Sequence, residues 1–215
     1  MSIKRITNVA LVLLVLAGTS AIAQPDKGKS WYGYVAGGWT EGYGDLGDLT
    51  DSGWNLNGGF NFRPDDWAVG IFGELGYNAF GVTGAVKEAV EVTGGDIDIW
   101  SLTGGLLWDP RLKGAVSPYL GAGLGYYRID GQLTQRAPVS GIWCSPWWPY
   151  YCYPATGVGD IVVASAATNE WGWNVRGGLA FTLGSLSQIY IEVQYNAIQA
   201  ERTIEYIPIV VGFKW

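Results

Sequence analysis

The last 28 residues, QIYIEVQYNAIQAERTIEYIPIVVGFKW from Gln188 to Trp215, decide the fold. They read as two strands joined by a short polar connection. In the first, Ile189, Ile191, Val193 and Tyr195 share one face, and Tyr190, Glu192, Gln194 and Asn196 share the other. In the second, Ile207, Ile209, Val211, Phe213 and Trp215 alternate with Tyr206, Pro208, Val210, Gly212 and Lys214. Period-two alternation marks a strand between two unlike environments. An apolar face that runs out to a final Trp215 suits a strand lying against lipid and closing a barrel better than one on the surface of a soluble protein.

The opposite end sets the compartment. Lys4 and Arg5 precede a short apolar run, Val9 to Ala17, and Ala21-Ile22-Ala23 supplies a small-x-small cleavage pattern before Gln24. This predicts a secretory signal peptide over residues 1–23, too short to be a transmembrane helix, and a mature domain over residues 24–215. Loss of Lys4 and Arg5 takes the net charge from −6 to about −8. An acidic chain with no basic patch predicts no nucleic-acid partner. The remaining roughly 190 residues suit one domain. The composition of the whole chain, with 33 Gly, 12 Trp, 13 Tyr and 15% charged residues, is unusual for a soluble globule. No later apolar run is long enough for a membrane helix. Membrane insertion therefore requires a closed barrel, the other structure that satisfies every backbone group in lipid.

Working back from the terminal pair, six further strands are predicted: Trp31 to Thr40, Ser52 to Phe62, Trp67 to Asn78, Asp96 to Trp108, Ser117 to Asp130 and Asn169 to Leu183. The connections after the first, third and fifth are long, the longest from Gly131 to about Thr168, and those after the second, fourth and sixth are short. Eight strands of about ten residues with this asymmetry predict an all-β, eight-stranded antiparallel up-and-down transmembrane barrel. Aromatic residues gather at both strand ends, as two water–lipid interfaces select. The competing arrangement is a soluble, lipocalin-like barrel with its faces reversed.

The signal peptide, the eight strands and the terminal YIPIVVGFKW resemble the small outer-membrane β-barrel proteins of Gram-negative bacteria: the OmpA-type membrane domain, OmpW and the opacity-type porin family. The resemblance covers the whole mature chain and is one of pattern. It implies the cell outer membrane as location, with lipid bilayer and lipopolysaccharide around the protein. It also implies recognition of the terminal strand, through Phe213 and Trp215, by the barrel assembly machinery. No peptidoglycan-binding segment is expected after the barrel.

The inward face is small and polar, and an eight-stranded lumen is filled by its own side chains. Glu74, Arg176, Glu192 and Lys214 all fall on it, and they are expected to form interior ion pairs, because enclosed charges must be matched. Glycines on the same face make room for rings. Catalysis has little support. The chain has no His, and with it go the usual general base and the commonest metal ligand. Asp45, Asp48 and Asp51 miss the calcium-loop spacing. Neither a cofactor nor a metal is expected.

One feature lies outside the barrel pattern. Cys144 and Cys152, the only two cysteines, bracket SPWWPYY. A location outside the cytoplasm permits a disulfide between them. Closing so short a loop contributes about 2.5 kcal/mol on the chain-entropy account. Trp143, Trp147, Trp148, Tyr150, Tyr151 and Tyr153 crowd this segment. Two readings stay open: recognition of an external protein, a glycan or lipopolysaccharide, or a plug folded over the barrel mouth. The function expected is non-enzymatic, in envelope structure and surface interaction. The alternative is a narrow porin-like or OmpW-like channel for small molecules.

Overall fold

The computed structural model describes residues 30–64, 67–110, 116–144, 152–183 and 187–215. The predicted signal peptide lies outside the described residues. Eight strands close into one barrel: β1 (Trp31–Tyr43), β2 (Gly53–Phe62), β3 (Val69–Gly81), β4 (Gly94–Trp108), β5 (Val116–Cys144), β6 (Cys152–Leu183), β7 (Ser187–Ile198) and β8 (Ile204–Lys214). Each pairs antiparallel with its sequence neighbours, and β1 pairs with β8, from Tyr34↔Lys214 to Tyr43↔Glu205. Closure leaves no free edge at the level of the wall, the condition for a sheet to stand in lipid. No helix among the described residues is long and apolar enough to cross a membrane. The two present, α1 (Asp45–Leu49) and α2 (Gly84–Ala89), are short pieces of the β1–β2 and β3–β4 connections.

The two faces of each strand sort as the alternation demands. In β7, Ile189, Ile191 and Val193 are exposed, and Tyr190, Glu192, Gln194 and Asn196 are buried. In β8, Ile209, Val211 and Phe213 face out, while Tyr206, Pro208, Val210 and Lys214 are enclosed. Leu75, Leu102, Leu106 and Leu124 continue the outward aliphatic band, Leu124 at 69% exposure. Left in water, so much apolar surface would be costly; in a bilayer it is solvated. Rings stack along both margins of this band. Trp31 packs on Phe60 and Phe62 at 5.5 and 4.6 Å on the short-turn side. Trp54, Tyr77 and Trp100 form a row at 5.1 and 4.6 Å on the other. Such girdles belong at the two membrane interfaces.

Strand length departs from expectation in one place. The residues from Gly131 to Thr168, expected as a loop, continue β5 and β6 into a paired ribbon. The last β4 pairing is Gly94↔Thr134. Beyond it, Gln135 to Cys144 pair with Ile161 to Cys152 and with no other strand. Ten residues of strand rise about 30 Å. The ladder shifts register between Leu133 and Thr134, whose partners are Ala164 and Val162, so that Val163 bulges where the ribbon leaves the wall.

Pro138 does not interrupt the ribbon. The Arg136 amide points toward the β4 side, where it donates to Thr93 Oγ1 at 2.7 Å. Two residues on, Pro138 turns its missing N–H to the same unpaired side and forfeits no ladder bond.

Candidate functional site

The lumen is built in layers. On the short-turn side Tyr34, Phe72, Leu107, Tyr119, Tyr190 and Val210 pack together, and on the long-loop side Leu46, Phe80, Ile99, Tyr127, Ile198 and Tyr206 do so. Glycines admit these rings. A Cβ on Gly123 would stand 2.9 Å from Phe72 Cζ, and one on Gly121 2.9 Å from Arg176 Cγ. Leu46 of α1 belongs to the upper layer. The barrel is thus roofed by its β1–β2 connection. The described part of the β5–β6 ribbon does not plug the mouth: its residues are largely exposed, and they pair only with each other.

Arg176 and Glu74 meet between the layers. Arg176 Nη1 donates to Glu74 Oε2 and Nη2 to Oε1, both at 2.8 Å. Tyr34 Oη donates to the same carboxylate at 2.9 Å. The guanidinium lies 4.1 Å from the centre of the Phe72 ring. Glu192 Oε1 sits 3.6 Å from Arg176 Nη1 and accepts from Gln194 Nε2 at 2.7 Å. One fork-shaped cation thus binds one carboxylate in bidentate fashion and holds a second nearby. Arg176, Glu74 and Glu192 are each more than nine-tenths buried. Charges so enclosed are stable only as a matched, hydrogen-bonded group.

The fourth expected member stands apart. Lys214 forms no salt bridge among the described residues. Its Nζ rests over the Tyr119 and Tyr190 rings, 3.9 and 4.6 Å from their centres. Glu192 lies instead beside the same Arg176 Nη1 that serves Glu74, at ion-pair distance. Of the four charges expected to form interior ion pairs, three do so as one triad, and the fourth, Lys214, is seated on aromatic rings.

Two further contacts escaped the sequence reading. Arg63 Nη1 donates to the Asp109 carbonyl and lies 3.3 Å from Asp109 Oδ2, tying the β2–β3 turn to the β4–β5 turn. Thr93 clasps the ribbon base: its amide donates to the Thr134 carbonyl at 3.0 Å, and its hydroxyl to the same oxygen at 3.3 Å. Arg63 and Asp109 sit in the turn motifs RPDD and DP, where hydrophilic residues carry no periodicity to mark a partner.

At the ribbon's far end Trp143 pairs with Tyr153 and Cys144 with Cys152, the last rungs of the ladder. Trp147, Trp148, Tyr150 and Tyr151 lie outside the described residues. Among the described residues no cluster of three or more metal-ligating side chains occurs. Phe213 stacks on Trp215 at 6.1 Å. The Gly33 and Trp215 backbones exchange hydrogen bonds of 3.2 and 3.1 Å across the β1–β8 seam.

A closed antiparallel wall, apolar without and polar within, between two aromatic girdles, defines an outer-membrane β-barrel protein. The chain belongs to the outer membrane protein beta-barrel domain family, whose model matches residues 9–215, and its place is the outer membrane. No curated protein matches it in sequence. Among solved structures it is similar to Neisserial surface protein A, at 14% identity and TM-score 0.56, over 88% of this chain and 98% of that one. It is also similar to a major outer membrane protein from Thermus thermophilus, at 11% identity and TM-score 0.51, over 86% of this chain and 98% of that one. At such identities the likeness is one of fold.

Proposed function

We propose that this barrel is non-enzymatic and serves envelope structure and surface interaction, with the β5–β6 ribbon as its contact element. The observation that carries this reading is the ribbon itself: ten paired rungs beyond the last β4 contact, rising from the long-loop rim. In outer-membrane barrels the long loops face outward and the short turns face the periplasm. A ribbon rising from that rim would carry the Trp and Tyr residues of its tip away from the membrane, where such rings make effective anchors for a protein or glycan partner. A disulfide between Cys144 and Cys152 would hold that tip in one shape and lower the entropy lost on binding.

The alternative conduit reading finds less support. Arg176, Glu74 and two aromatic layers fill the lumen. The short-turn cavity has about 260 Å³, and the void of about 10 Å³ beside Arg176 shares Asn61, Leu107 and Lys214 with it. That void is close to the least space a single water needs.

The test is to replace residues 135–161 by a short Gly-Ser turn and compare binding of expressing cells to immobilised glycans and extracellular proteins. The expected result is a barrel that still shifts on unboiled SDS gels but has lost binding. Equal binding by both forms would refute the ribbon as contact element.

A further inference from the structure

The short-turn mouth holds a chamber that neither the Arg176 triad nor the ribbon explains. Its volume is about 260 Å³, and its polar lining includes Asn61, Arg63, Asp109, Ser117, Gln188 and Lys214. Two of these are cations withdrawn from water, Arg63 at 5% and Lys214 at 7% exposure. Among the described residues lining the chamber Asp109 is the one acid, and Arg63 engages it; Glu192 lines the small void on the inner side of Lys214. The Arg63 Nε–H is buried with no hydrogen-bond partner among the described residues. Lys214 has ring faces beneath it and no carboxylate within salt-bridge distance among the described residues. Ser117 and Gln188 add neutral donors.

A buried ammonium and a guanidinium with a spare donor on one chamber make a site for an anion. Each charge-assisted hydrogen bond to an ionised oxygen is about twice as strong as a neutral one. A lysine brings three donors and no acceptor. At about 30 Å³ of liquid per water, the chamber has room for a tetrahedral oxyanion with part of its hydration or a few further atoms. We propose that the short-turn mouth binds a phosphate group from the periplasmic side, with Lys214 and Arg63 as its cationic contacts. The site is independent of the ribbon and of any external partner. Two sources share this chemistry: free phosphate, and the headgroup of a lipid in the adjoining leaflet.

The experiment uses the full chain, folded in an uncharged maltoside detergent. Inorganic phosphate is titrated while the amide resonances of Ser117, Thr182 and Lys214 are followed, with potassium chloride holding ionic strength. The expected result is saturable shifts at these residues. Lys214→Met should weaken binding about tenfold, as loss of a charged partner does. Lys214→Arg should keep binding, and Arg128→Met, on the opposite rim, should leave it unchanged. Repeating the spectra in phosphatidylcholine nanodiscs separates the sources. Shifts there before any phosphate is added assign the headgroup, and shifts that await the free ion assign inorganic phosphate. No saturable shift in either setting, or binding that a folded Lys214→Met retains in full, overturns the site.

Discussion

Arg176 is the residue on which the interior depends. Its two Nη groups hold Glu74, its flank covers Phe72, and Glu192 is oriented toward it. Arg176→Ala strands two buried carboxylates and opens a hole against Phe72. The expected cost is about 3–5 kcal/mol, as for breaking a buried pair from one side. Thermal unfolding in detergent should fall by several degrees. The double variant Arg176→Met with Glu74→Gln should recover part of the loss, because shape is kept and one of the two stranded carboxylates is neutralised. A melt unchanged by Arg176→Ala would mean the guanidinium is hydrated. At this scale the sequence was partly legible. Phase along the strands brought Glu74, Arg176, Glu192 and Lys214 to one face. It did not say which acid each cation would choose, because that choice turns on height around a sheared wall and on rings such as Tyr119 that compete for Lys214.

The ribbon behaves as an element with its own rules. Inside the membrane each strand lies between lipid and lumen, so its sequence alternates sharply. Beyond the rim both faces of β5 and β6 meet water. The alternation fades in GQLTQRAPVS and in IVVASAATN, so side-chain pattern alone does not mark these residues as strand. The paired backbone, the Thr93 clasp and the Val163 bulge carry the structure there, and backbone pairing leaves little trace in side-chain pattern. The Cys144↔Cys152 rung leads to a second prediction. Intact-mass analysis after thiol alkylation of the native protein should find neither cysteine modified, and both modified after reduction. Cys144→Ser with Cys152→Ser should leave the barrel's melt unchanged and speed proteolysis at the tip. Labelling of both thiols in the native protein would contradict the bond.

The molecule as a whole is a wall that lipid stabilises, a lumen closed by its own charges and rings, and one element reaching past the membrane. Closure, strand number and the sorting of faces were legible because a two-solvent wall imposes the same alternation on all eight strands. Charge choice, roof and ribbon were not, since each depends on contacts between distant segments. The most direct measurement is to treat intact cells with proteinase K and run the detergent-extracted protein on SDS gels, boiled and unboiled. Cleavage is predicted within residues 135–161 alone, giving fragments that migrate together as a compact barrel when unboiled and separate on boiling. Protection in intact cells with cleavage only after permeabilisation, or a mobility that boiling does not change, would contradict this arrangement.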